Sequence, residues 1–290
     1  MTKASTVTVP CGKNLFGWKP SSIAGGVIAD IVQAAKDMGL SGVSFKVASG
    51  VSPYPYGYDM RPLRDAFGNA GIAFSGWHYV YGVNAPASEA ALAGQRIAEL
   101  ELDSYEIDAE AHYKNYAWTR AAELVARIKE HTTVANIPLG LTTYRYPQVH
   151  PEFPWRGFLC DCDYWIPQVY WQPPPSSPII ELDKSISQWT LEAQKWDYVI
   201  RPFIPAGRVY IGDGYPPPGP TSAEIVAFLD HAKNVLGLHG ATFWSFDNLY
   251  THTGGAERMA TIANFNWHAG LSDKEKLDRL WEAHPELWTY

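Results

Sequence analysis

Apolar and polar positions along the chain fall into short β-rich runs that alternate with segments of helical period, the pattern of parallel βαβ units. The first run, Asn14-Leu15-Phe16-Gly17-Trp18, precedes a helix in which Val27, Ile31, Ala34, Ala35 and Met38 keep helical spacing and which stops at Gly39. Gly42 to Val47 predicts a second strand, Arg61 to Ala70 a helix closed by Gly71, and Ile72 to Tyr81 a third strand rich in β-formers. An Ala/Leu/Glu helix over 87–101, a fourth strand from Tyr105 to Ala111, and the buried stripe Ala121, Leu124, Val125 and Ile128 continue the repeat. Pro138 to Tyr146 and Tyr164 to Trp171 predict strands five and six. Ile186, Trp189, Ala193 and Trp196 line one face of the next helix, and Val199 to Ile204 reads as strand seven. Thr221 to Glu224 and Ser272 to Glu275 match the capping box that opens a helix, with strand eight, Ala241 to Asp247, between them.

Eight such strands with about as many helices predict an α/β protein, a (β/α)₈ TIM barrel whose single domain spans residues 1–290. The Pro-rich stretches Pro173 to Pro178 and Pro216 to Pro220 each follow a strand and precede a helix, so they read as rigid βα loops rather than linkers. In this fold those loops and the strand C-terminal ends form the face where chemistry sits.

Strand four carries the candidate chemistry. Side chains alternate along a strand, so Glu106, Asp108 and Glu110 share one face while Tyr105, Ile107 and Ala109 share the other. The apolar set belongs against the helices, which turns three acids toward the barrel interior. Such a row costs on the order of several kcal/mol in desolvation and repulsion unless protons are shared or bases stand close. Glycoside hydrolysis uses two carboxyls of this kind, one with a raised pKa that protonates the leaving oxygen and one that stays ionised. Glu110, nearest the strand's C-terminal end, is the expected acid. Asp108 is the expected charged partner, and Asp247, in Phe246-Asp247-Asn248, is a second candidate. Glu106, one layer deeper, is expected to pair with a base such as Lys46 or Arg201.

Other residues reach the same face by position. His78 ends strand three and could hydrogen-bond to the site or serve as a structural residue; Tyr144 and Tyr146 end strand five; Trp18, Trp171, Gln172 and Trp244 could form sugar-stacking walls. The chain holds 12 Trp and 17 Tyr, more than one core normally needs, although any single ring can equally be a core filler. A metal-dependent hydrolase using His78, Asp108 and Glu110 as ligands is a further possibility, weakened by the absence of a second histidine beside them.

Composition narrows the partners. With 46% hydrophobic and 18% charged residues the chain reads as a folded protein with a sizeable core. A net charge of −7 and no Lys/Arg run argue against nucleic acid. Three cysteines, Cys11, Cys160 and Cys162, lack zinc-site spacing, and nothing else calls for a metal or cofactor. No apolar run is long enough for membrane insertion and the first ten residues lack the pattern of a signal peptide, which suits a cytoplasmic protein or a phage-type lysin. Oligomeric state is not encoded in the pattern.

Three segments resemble the family 25 glycoside hydrolases, which are lysozymes (N-acetylmuramidases). Gly42-Val-Ser-Phe-Lys46 resembles that family's strand two with its lysine. Tyr58-Asp59 through Ala70-Gly71-Ile72 to Gly76-Trp77-His78-Tyr79 resembles the run that follows it, and Asp108-Ala109-Glu110 resembles the Asp-X-Glu motif of strand four. The resemblance implies a glycoside-hydrolase barrel, Glu110 as general acid, and a polysaccharide substrate, bacterial cell-wall peptidoglycan among the candidates. It departs at strand one, where Gly17-Trp18-Lys19-Pro20-Ser21 offers no aspartate. A carbohydrate-binding barrel without turnover, and a structural barrel of a phage or wall assembly, therefore stand beside the enzyme.

Overall fold

Eight strands pair in parallel and in chain order, each bringing its C-terminal end to the same rim. They are β1 (Gly12–Gly17), β2 (Gly42–Ser49), β4 (Ala73–Val80), β5 (Tyr105–Ala109), β6 (Leu139–Tyr144), β7 (Tyr164–Gln168), β8 (Ala206–Arg208) and β9 (Gly240–Trp244). Pairing of β1 with both β2 and β9 closes the ring. A two-residue strand, β3 (Ser52–Pro53), folds back antiparallel on β2. The computed structural model describes residues 9–171, 176–212 and 219–268. Gln172, residues 173–175 and 216–218 of the two Pro-rich loops, and the helix expected after Ser272 lie outside the described residues.

Helices α1 (Ile28–Asp37), α2 (Arg61–Asn69), α3 (Pro86–Leu100), α4 (Trp118–Ala135), α5 (Trp155–Leu159), α6 (Pro178–Lys195), α7 (Ser222–Asp230), α8 (Phe246–Thr251) and α9 (Gly255–Asn264) make the outer layer. Period-two alternation sorts the strand side chains. Leu15, Val43, Phe45, Phe74, Tyr105, Ile107, Leu141 and Trp165 face the helices and build the larger core. Phe16, Trp77, Tyr164, Ile166, Ile204 and Ala206 fill the barrel interior.

Two expected strands shift. Regular pairing of the seventh parallel strand starts at Ala206, not at Val199, because Pro202 and Pro205 offer no amide to a ladder; only Phe203 forms a bridge there, to Trp165. The eighth ends at Trp244, and Asp247 sits in the first turn of α8 rather than on a strand.

Candidate active site

β5 delivers the acids in layers. Glu106 lies deepest, 3% exposed, where Tyr164 Oη donates to it at 2.9 Å and Ser44 Oγ donates to its other oxygen. Neither Lys46 nor Arg201 pairs with it, so the expected ion pair is replaced by hydroxyls from β2 and β7 in the same layer. Hydroxyls satisfy a carboxyl without neutralising it, and burial pushes the Glu106 pKa up to about 7. Asp108, one layer up, is also buried. Burial, then the nearby Glu110 and more weakly Glu106, hold its pKa well above the usual carboxylate range, against the pull of Lys46. Burial and the neighbouring acids thus favour the neutral form of Asp108, whereas the sequence led us to expect a charged partner.

Glu110 follows the last paired residue of β5 and is half-buried at the rim. Gln168, at the end of β7, donates from Nε2 to Glu110 Oε1 at 2.9 Å and approaches Asp108 Oδ1 at 3.4 Å. One amide thus ties the two carboxyls. They open into a groove of about 320 Å³ whose other lining residues are Trp18, Lys46, Trp77, Tyr79, Gln168, Tyr170, Tyr210 and Trp244. Trp77 is fixed edge-on to Trp244, ring centroids 5.4 Å apart, and its Nε1 donates to the Gly17 carbonyl at 2.9 Å. Tyr144 stands beside the acids with its ring 3.8 Å from that of His150; burial, then Glu110, push its phenol up to about 12.

The groove thus collects Asp108, Glu110, Trp18, Lys46 and Trp244 from the sequence expectations, with Tyr144 adjacent. Four others go elsewhere. His78 points outward from β4, since alternation gives the interior to Trp77 and Tyr79; its Nε2 donates to the Gly50 carbonyl at 2.8 Å and its Nδ1 accepts from Tyr105 Oη at 2.9 Å. That removes it from any ligand trio with Asp108 and Glu110. Tyr146 is buried against α6, donating to Glu181 with its ring between Arg145 and Lys184. Trp171 is fully buried, 5.4 Å from Phe228 of α7. Asp247 accepts from the Lys19 backbone amide at 2.9 Å and from Ser245 Oγ, so both oxygens are spent on joining the loops after β1 and β9.

Sequence reasoning missed Trp77, Tyr79, Gln168, Tyr170 and Tyr210. The first two were reachable from the alternation of strand three, with Phe74 as the outward anchor; Gln168 follows Ile166 at the same spacing.

No family model and no curated relative matches this sequence. Solved structures do resemble it in fold. Active domain 2 of the thermostable chitinase of Pyrococcus furiosus, solved with chito-oligosaccharides, aligns at TM-score 0.60 and 13% identity over 82% of this chain and 85% of that one. The spore cortex-lytic enzyme SleL of Bacillus megaterium aligns at 0.59 and 11% over 89% and 74%. A family GH18 chitinase of Cycas revoluta, solved with allosamidin, aligns at 0.59 and 11% over 87% and 99%. The likeness establishes the (β/α)₈ barrel architecture alone, and membership of family 25 is not shown by it.

Proposed function

We propose that this chain is a glycoside hydrolase acting on a polysaccharide of N-acetylated amino sugars, the chemistry common to chitin and to the glycan strands of peptidoglycan. The observation that carries the reading is Glu110, a half-buried carboxyl held by Gln168 in an aromatic groove and above the buried Asp108, whose pKa is raised. The Trp and Tyr walls suit the apolar faces of sugar rings, and Glu110 is placed to protonate a glycosidic oxygen lying across the rim.

Burial and the neighbouring acids disfavour the charged form of Asp108, and Asp247 is engaged by Lys19 and Ser245, so neither is well placed as an ionised carboxylate to attack the anomeric carbon. The nucleophile can instead be the substrate's own 2-acetamido oxygen, as in the substrate-assisted glycosidases. The acetamido oxygen bonds to C1 as the C1–O bond breaks and the leaving oxygen takes the Glu110 proton. Water, deprotonated by Glu110, then opens the cyclic intermediate with net retention. Asp108 in its protonated form, which burial favours, can donate a hydrogen bond to the acetamido group and so orient it. The neighbouring barrels support the substrate class: two are chitinases, one solved with chito-oligosaccharides, and SleL is a spore cortex-lytic enzyme.

The test is reducing-end release from chitin, glucan and peptidoglycan by the native chain and by Glu110→Gln. Hydrolysis of the N-acetylated substrates that falls by at least about 10²-fold in the variant supports the assignment. Binding without cleavage by either chain would leave a carbohydrate-binding barrel and overturn it.

A further inference from the structure

Several cations among the described residues are neutralised by acids: Arg64, Arg96, Lys114, Lys129 and Arg145 each form an ion pair at 3.3 Å or less. Two lysines beside the groove differ. The Lys46 ammonium lies 4.9, 5.0 and 5.5 Å from the ring centroids of Trp77, Tyr54 and Tyr79. The Lys19 ammonium lies 4.2 Å from the ring of Trp18, which lines the same groove. Among the described residues neither ammonium forms an ion pair or a hydrogen bond.

Aromatic faces attract and fix an ammonium but leave its charge in place. Lys46 is half-buried in the groove wall. A lysine whose task was to offset the acids would be expected to close on one of them, as Lys129 closes on Asp163 at 2.5 Å. The chain as a whole carries a net charge of −7, a field that discourages anionic ligands, so a local cation decides whether an anionic substituent is tolerated or attracted.

We propose that Lys46, with Lys19 at the groove mouth, makes this site prefer an N-acetylated glycan that bears carboxylates, such as a chain whose alternate sugars carry a lactyl ether, over a neutral chain of equal length. The proposal rests on the reading of the groove as a glycan site. Lys46 supplies the contact, its ammonium set among the rings of Tyr54, Trp77 and Tyr79, and Lys19, more exposed, contributes a weaker, screened attraction.

The test is calorimetric binding with the full-length Glu110→Gln chain, which separates recognition from turnover. Three tetrasaccharides serve as probes: an all-N-acetylglucosamine chain, a chain with free lactyl carboxylates on alternate sugars, and the same chain with those carboxylates converted to methylamides. The expected result is that the carboxylated ligand binds about tenfold more tightly than either neutral one, that 0.5 M salt weakens this preference, and that adding Lys46→Met erases it. Lys46→Arg, which keeps the charge, should retain most of it and guards against misreading a collapsed aromatic wall. Equal affinities for the three ligands, or a preference that survives Lys46→Met, would overturn the selectivity while leaving the glycan site intact. Failure of all three to bind would overturn the glycan reading and the selectivity together.

Discussion

Gln168 Nε2 donates a 2.9 Å hydrogen bond to Glu110 Oε1 from two strands round the barrel, and this bond, not the local backbone of β5, sets the aim of the rim carboxyl. Glu110 follows the last residue of β5, so ladder pairing does not hold it. Replacing Gln168 by Leu frees the carboxyl and removes the donor that also approaches Asp108. The expected outcome is a fall in kcat of roughly ten- to a hundredfold, the share of a general acid's contribution that depends on aim, with a much smaller change in KM. Steady-state kinetics on a soluble oligosaccharide decide it; an unchanged kcat would mean that Glu110 is aimed by the substrate alone.

The barrel was legible because its physics is local. Parallel strands buried on both sides read as apolar runs, and helices announce themselves by period and by caps such as Thr221 with Glu224. Alternation on strand four correctly sent Glu106 and Asp108 inward because Tyr105, Ile107 and Ala109 had to meet the helices. What was lost follows from where alternation stops. Tyr146 and Trp171 lie beyond the last paired residues of β6 and β7, where side-chain direction is set by loop path and by contacts with α6 and α7. Protonation was lost for another reason. The rise in the Asp108 pKa comes from depth of burial and from Glu110 and Glu106 together, which strand periodicity does not report.

Gly157 illustrates a close approach between helices with a measurable cost. A Cβ there would stand 2.1 Å from the Trp118 carbonyl oxygen and 2.7 Å from the Ala121 Cβ, both on α4. Backbone cannot rotate away as a side-chain tip can. Gly157→Ala is therefore expected to destabilise the fold by about 1–3 kcal/mol through overpacking, despite the better helix propensity of alanine. Urea unfolding with an unchanged m-value and a lowered midpoint checks this; equal stability would mean that α5 shifts freely on α4.

His78 gives the fold a sensitivity to acid. Burial lowers its pKa from 6.5 to about 4, so between those values the unfolded chain takes up a proton that the folded chain refuses. Stability contributed by the neutral imidazole is present above pH 6.5 and is lost as pH falls toward 4. His78→Gln removes that dependence, whatever it costs in absolute stability. The difference in unfolding free energy between native and variant chains should shrink by up to about 3 kcal/mol from pH 7 to pH 4. A difference that stays flat across this interval would show His78 to be protonated in place.

Glu106 works with the opposite sign. Its folded pKa is raised from 4.5 to about 7, so between those values the folded chain holds a proton that the unfolded chain has released. The protonated carboxyl contributes fully below pH 4.5, and that contribution is lost as pH rises through 7. Glu106→Gln keeps the shape and the capacity to meet Ser44 and Tyr164 but cannot ionise. Relative to the native chain the variant should gain up to about 3 kcal/mol between pH 4.5 and pH 8, read from paired urea titrations. The same substitution reaches the chemistry, because the charge on Glu106 is one of the influences that raise the pKa of Asp108. Without it Asp108 gives up its proton at lower pH. If protonated Asp108 orients the substrate, the alkaline limb of kcat/KM therefore moves to lower pH in Glu106→Gln. A limb that stays in place while the stability difference appears would confine Glu106 to the fold.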